Sequence, residues 1–405
     1  MSRQALEGLK VVEFAAYAAG PVTGKHLADF GATVVHIESG GRPDGFRVQY
    51  PPFAENKPGV NRSGCFGVCN NNKYGITINL KAEGGIDLAK EVVAWADVVI
   101  ENFTPGTMER LGLGYEELCK VNEKLIMFSS CNQGQGGRHA THPGFGSQLT
   151  SLTGFTNLTG FPDGPLSLLF GPYIDFIGVG YGVISIMAAL DYRRRTGFGQ
   201  YIDLAQYENG LQFLAPIILE NNINGRVWER MGNRHEYAAP HGVFPCKGQD
   251  RWCALSVFTD AEWQKLREVM DEPAWAAESK FSTMLDRKNN EDELESKIEA
   301  WTVGFTPEEL MEKLQAVGVR AGVVNRIRDA YSDPQYAHRQ IWQGIEHSEM
   351  GLFHYQAPPF ELSETPAVLD RPSPCLGEHN EQFFCDILGM SKERYQEAIT
   401  NGIIA

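Results

Sequence analysis

The chain has 405 residues, 42% of them apolar, 21% charged and 11% aromatic, with a formal net charge of −15. This length accommodates two domains, and this composition is that of an ordinary globular protein. The negative balance excludes a nucleic-acid binder, which carries a basic stripe, yet it leaves room for a small basic pocket that takes an anionic ligand. The opening "MSRQALEGLKVVEF" lacks a signal-peptide core, and "GVISIMAAL" is too short to span a bilayer. The expectation is a cytoplasmic protein without membrane contact.

The elements begin with an apolar run, Val11 to Phe14, that reads as a buried strand. Gly20-Pro21 then opens a helix that ends near Gly31, and Thr33 to Ile37 supplies the next strand, a βαβ unit with a right-handed crossover. "YGITINL", "EGGIDLAKEVVAWA" and "DVVIEN" repeat the pattern, and "KLIMFSSC" adds a further strand. Strands alternating with helices predict an α/β fold, a Rossmann-like parallel sheet. The first turn reads "AAYAAGP" rather than G-x-G-x-x-G, so although Glu38 ends the second strand as a ribose-binding acid would, a dinucleotide oxidoreductase is disfavoured.

From Phe176 to about Arg194 the pattern predicts one long helix, with Gly178 and Gly182 four apart on one face. Small residues so spaced admit a ligand, a second subunit, or simply a tightly packed neighbouring helix. A glycine turn, a short strand and a helix follow in "TGFGQYIDLAQYENGLQFL". Between 225 and 330 the composition shifts to a hairpin, "GVFPCKGQDRWCALSVF", and charge-rich amphipathic helices, which predicts a smaller α+β domain. The domain expectation is therefore 1–224 for the large domain, 225–330 for the small one, and 331–405 as a return segment. That return, with prolines at 358, 359, 366, 372 and 374, is expected to be extended and to end in the helix "EQFFCDILGM".

Eight cysteines and ten histidines show no metal-ligand spacing, so neither a metal nor a disulfide is expected. His139 and His142 fall in a glycine-rich loop and read as solvated. One position stands out. Asp175 is the sole charge in "FGPYIDFIGVGYG", among aromatics, β-branched residues and glycines. An acid in such surroundings is costly unless it is paired or hydrogen-bonded, so it is a helix cap, an ion-pair partner or a catalytic group.

Eight segments in order resemble the class III CoA-transferases, the family of formyl-CoA and carnitine CoA-transferases and α-methylacyl-CoA racemases. They are "GPVTGKHLADFGATVVHIE", "NNNKYGITINL", "ENFTPGTMERLGLGYEEL", "TGFGQYIDLAQYE", "APHGVFPC", "GVRAGVVN", "SDPQYAHRQIW" and "CLGEHNEQFFCDILG". The resemblance implies coenzyme A as the carried group, acyl-CoA and carboxylic acid substrates, and an interlocked ring-like dimer of identical or related chains. It places the family's nucleophilic aspartate at Asp175. For the cofactor it implies Ala18 and Ala19 at the first helix, then Cys69, Asn70, Asn71, Asn72 and Lys73. Asn102, Phe103, Thr104 and Arg110 follow, and after them Ser130, Cys131, Asn132 and Gln133.

Phosphates need Arg or Lys donors, and Arg42, Arg47, Lys73 and Arg110 are the candidates. Formyl-CoA transferase has glutamine where Ala18 stands and arginine where Ser39 stands, which leaves Arg42 to hold adenine or phosphate. Its glycine run corresponds to "NRHEYAAP" here, so a small oxalate-like acid is not expected. The racemases place a histidine base where Phe145 stands, so racemase chemistry is a poor alternative. A non-catalytic acyl-CoA-binding subunit is the other alternative. Tyr17, Phe145, Tyr173, Phe176 and Tyr237, with Arg234 and His235 nearby, predict an aromatic-lined pocket. Such a pocket suits a sizeable aromatic or dicarboxylic acid, and the resemblance offers a succinyl-CoA-dependent transferase for benzylsuccinate-like acids.

Overall fold

The computed structural model describes residues 4–405. The apolar runs form strands β1 (Lys10–Phe14), β2 (Thr33–Glu38), β3 (Tyr74–Thr77), β4 (Val98–Glu101), β5 (Ile126–Cys131) and β6 (Gln200–Ala205). They pair in parallel in the order β3-β2-β1-β4-β5-β6. Successive strand residues face opposite ways, so a sheet covered on both faces needs unbroken apolar runs. Val11 packs with Leu27, Phe128 and Ile186 on one face. Its neighbour Val12 packs with Val35, Val92 and Phe383 on the other. Each such fully buried side chain contributes about 1.5–3 kcal/mol relative to exposure. The strand order reverses between β1 and β4, and in open sheets of this kind ligands bind beyond the strand ends at that reversal.

The long helix differs from its expected form. It begins at Tyr173, is interrupted at Gly178, and resumes as Val179–Thr196. It ends because Gly197 takes a left-handed φ of 84°, with Arg193, Arg194 and Arg195 in the last turn opposing the helix dipole. By length and hydropathy the span Tyr173–Thr196 is enough to cross a membrane. In this fold Ile186 and Ala189 are buried against the sheet.

The chain divides into two compact units. The first runs through Phe155 and takes in Leu168–Arg226 and Gln335–Ala405; the second is Thr156–Ser167 with Val227–Pro334. The C-terminal part of the first unit is more structured than expected. It opens with an antiparallel hairpin, β10 (Trp342–His347) and β11 (Gly351–Gln356), and a final helix, Lys392–Thr400, follows the helical turn Gln382–Ile387. Between them the extended chain meets β3: Gly75 N–H donates to His379 Nδ1 at 3.1 Å and Thr77 N–H to Asn380 Oδ1 at 2.8 Å.

In the second unit the expected hairpin, β7 (His241–Pro245) and β8 (Trp252–Ser256), gains a third antiparallel strand, β9 (Arg320–Val323). Its helices Asp260–Val269 and Pro307–Ala316 start at capping boxes, Thr259 with Glu262 and Thr306 with Glu309. Their apolar stripes bury Trp263, Leu266, Leu310 and Leu314 in one core.

Candidate active site

The loops after β1 and β4 meet where the strand order reverses. Asn102 holds them together: its Oδ1 accepts from Ala16 N–H at 2.9 Å and its Nδ2 donates to Ala16 O at 2.8 Å. The chain then turns through Tyr17 in a left-handed conformation, φ 63°, with its N–H donating to Asp44 at 3.0 Å. Its ring fits over Gly45, where any Cβ would lie 2.4 Å from ring atoms. The Tyr17 ring meets Phe46, Tyr50 and Phe145 edge-on, the last at 5.9 Å. Two of the expected pocket aromatics, Tyr17 and Phe145, are thus in contact. Tyr173 is exposed beside Phe155.

Phe145 leads into the helix Gly146–Leu152, and Gly146 is where Asp175 sits. A Cβ at Gly146 would lie 2.5 Å from Asp175 Oδ1, so only a glycine leaves the carboxyl that place. Asp175 is in the first turn of its helix rather than at the cap, which is Pro172. Its half-buried carboxyl makes no hydrogen bond or ion pair among the described residues. It lines a cavity of about 10 Å³ with Ala19, Phe128, Ser130, Ile174 and Asn209, none of them charged. Burial alone pushes its pKa up to about 7. The first turn places Asp175 at the helix N-terminus, but no hydrogen bond reaches its carboxyl among the described residues, and desolvation dominates.

Several expected cofactor contacts are used up inside the fold. Lys73 is fully buried, its ammonium donating to Glu13 at 2.8 Å, to Pro21 O and to Asn70 Oδ1, which leaves no donor for a phosphate. Arg47, also fully buried, binds Glu38 with Nε and Nη2 and reaches Pro374 O. Glu38 is therefore no ribose ligand. The amides of Asn71 and Asn72 donate to Asp29, and Asn72 also takes the backbone N–H groups of Asp370 and Arg371. Asn102 is occupied by Ala16. Cys69 and Cys131 are buried, and burial pushes both thiols up to about 12, so neither is a nucleophile.

What stays accessible lies at the strand ends. Arg42, beyond β2, is exposed and makes no side-chain bond among the described residues. Arg110 is exposed and, among the described residues, donates only to Thr107 and Pro105 O, beside Thr104, which is also exposed. Phe103 is half-buried against the sheet core, Asn132 donates to Gly144 O at 2.9 Å, and Gln133 is half-buried. Ala18 caps the first helix, while Ala19 and Ser130 line the Asp175 cavity. In the second unit Tyr237 is exposed beside His235. Arg234 is bound to Glu295 and Asp292 and is not a free cation for a substrate.

Of the glycine pair, Gly182 lies against Phe128 and Thr23, and Gly178 lies against Asn209 and lines the Asp175 cavity. Two residues in the cavity have no counterpart in the sequence expectations. Gln206, whose Nε2 donates to Ser130 Oγ at 3.2 Å, and Asn209 share the inward side of the helix Gln206–Phe213. Amides three apart on a helix that is otherwise apolar inward are the signal that points to them.

The model of CoA-transferase family III matches residues 6–380. A succinyl-CoA–D-citramalate CoA-transferase of Chloroflexus aurantiacus is 33% identical over 96% of this chain and 95% of its own length. A succinate–glutarate CoA-transferase of Agrobacterium fabrum is 33% identical over 94% and 95%. Among solved structures, a CAIB/BAIF family protein from Brucella suis superposes with a TM-score of 0.87 at 32% identity, covering 95% of this chain and 99% of that one. The parallel sheet with its reversal, the motif order and these matches agree, and the chain belongs to CoA-transferase family III.

Proposed function

We propose that this enzyme moves CoA from succinyl-CoA to a dicarboxylic acid through covalent intermediates on Asp175. The observation that carries the reading is the Asp175 carboxyl itself, partly buried, uncharged in its surroundings and without a partner. Its carboxylate attacks the acyl carbonyl and expels CoA thiolate, giving a mixed anhydride. The thiolate attacks the aspartyl carbonyl and releases the donor acid, leaving an aspartyl-CoA thioester. The acceptor carboxylate then attacks the thioester, thiolate leaves, and its return to the acceptor carbonyl frees Asp175. A pKa near 7 suits this role: the anion is available at neutral pH and more nucleophilic than an ordinary carboxylate. Arg42 and Arg110, the accessible cations at the strand ends, are our choice for the CoA phosphates.

Relatives named for D-citramalate, glutarate and L-malate support a dicarboxylic acceptor. The rings of Tyr17, Phe145 and Tyr173 favour one with an apolar body, of the benzylsuccinate type. We also infer assembly with a second copy or a related chain. Ile184 and Met187 on the long helix, with Leu219 and Ile223 on the helix Ala215–Asn224, are exposed apolar groups that such a partner covers.

The test is a trapping experiment with succinyl-CoA and no acceptor. Hydroxylamine should convert Asp175, on the peptide containing "GPYIDFIG", to a hydroxamate. An unmodified peptide, or an adduct elsewhere, overturns the mechanism. Competition among benzylsuccinate, citramalate, glutarate and malate, read by mass spectrometry of the CoA products, tests the acceptor. Preference for the ring-free acids removes the aromatic part of the reading.

A further inference from the structure

Asn209 stands in the helix Gln206–Phe213, which packs on the short helix that carries Asp175. The residue is 7% exposed, and its Nδ2 has no hydrogen-bond partner. That amide lies against Gly178, where a Cβ would be 2.6 Å from Nδ2, one turn beyond Asp175. Both residues line the same cavity. A buried donor left without an acceptor costs about 1–3 kcal/mol. Asp175 is the complementary case in the same space, an acceptor without a donor among the described residues.

We infer that Asn209 donates from Nδ2 to the Asp175 oxygen that becomes the carbonyl oxygen of the anhydride and thioester. The inference rests on Asp175 being the nucleophile. When the acceptor carboxylate adds to the thioester carbon, the carbonyl electron pair moves onto that oxygen. Asn209 steadies the resulting oxyanion, which then collapses as the C–S bond breaks and CoA departs as thiolate. An amide neither gains nor loses a proton here; it supplies an oriented dipole in a site that water scarcely enters.

The obvious variants are Asn209→Ala and Asn209→Leu, the second close to asparagine in shape. Loss of one such donor lowers kcat by roughly a hundredfold or more, with KM little changed. Asn209 makes no hydrogen bond to Asp175 in the free enzyme, so both variants should leave the acid limb of kcat/KM in place while kcat falls. Asn209→Asp, which sets a second acid in the cavity with Asp175, should move that limb to higher pH. No other titratable side chain lines the cavity. The packed helix Gly146–Leu152 has none, the helix Gln206–Phe213 carries Tyr207 and Glu208, the helix Ala19–Asp29 carries Lys25, His26 and Asp29, and the helix Val179–Thr196 carries Tyr181, Asp191, Tyr192 and three arginines, all outside the lining. Asn209→Ser, a shorter donor, should recover part of the rate.

Hydroxylamine trapping in Asn209→Ala separates this inference from the reading beneath it. The Asp175 hydroxamate should still form, with slower discharge to the acceptor. No adduct in the wild-type enzyme overturns both ideas. A normal adduct with kcat and the rate of discharge unchanged in the Ala and Leu variants overturns the role of Asn209 alone.

Discussion

A group of buried carboxylates in the first unit and the half-buried Asp175 have opposite surroundings. Around strands β1 and β2 and the helix Ala19–Asp29, Glu13 binds Lys73 and His36, Glu38 binds Arg47, and Asp29 binds Lys25, Asn71 and Asn72. Even the backbone yields to them: Gly24 leaves the space in which a Cβ would strike Glu13. Burial pushes Glu38 up, but Arg47, His36 and the Asp44 N–H together outweigh it and hold the carboxyl below its ordinary value. Around Asp175 nothing offsets burial, and the pKa rises to about 7. The first group fixes how strands and return segment fit together. The second keeps its interaction energy free until a substrate arrives.

The comparison breaks most sharply at Asp175. Asp175→Ala should lower CoA transfer by roughly 10⁴-fold or more, as removal of a nucleophile does, with an unchanged circular dichroism spectrum. Lys73→Met should do the reverse. It removes the ammonium beside the buried Glu13 and leaves His36 as its partner, which should cost about 3–5 kcal/mol of unfolding free energy in urea titrations, with near-normal specific activity in the fraction still folded.

Asp175→Asn sharpens the contrast through pH. Because the folded pKa of Asp175 lies above its unfolded value of 3.8, its contribution to stability is fully present below pH 4 and lost as pH rises through 7. Asparagine carries no such dependence. The variant should therefore be more stable than wild type at pH 8, by up to about 4 kcal/mol, and the gap should close towards pH 4. Thermal melts at the two pH values read this directly. Gly146→Ala is the mildest change. Its methyl would meet the Asp175 carboxyl, and a displacement of under about 1 Å should cost roughly ten- to a hundredfold in kcat/KM with the fold intact.

Much of this was legible in the chain, for identifiable reasons. Val-Val pairs and Gly20-Pro21 announce strands and helices locally, so the parallel sheet follows from short windows. Asp175 stands out because it is alone among apolar residues. Lys73 and Arg47 read as phosphate ligands because the acids that claim them, Glu13 and Glu38, are brought close only by folding. The asparagines of "NNNK" are likewise claimed by Asp29 and by Asp370 and Arg371, which are distant in sequence. Asn209 was hidden because its importance is a missing partner, which only packing reveals.

The contacts of His379 and Asn380 with β3 carry a consequence for solubility. Strand β3 is outermost in the sheet, and an outermost strand offers unpaired amides to any passing chain. Here the amides of Gly75 and Thr77 are taken by side chains, and His379 N–H returns a bond to Gly75 O at 3.0 Å. Side-chain acceptors satisfy the strand without continuing the ladder, so no further strand can add. Deletion from residue 370 onwards would uncover Tyr74–Thr77 and turn a terminated sheet into a template for edge-to-edge association between molecules.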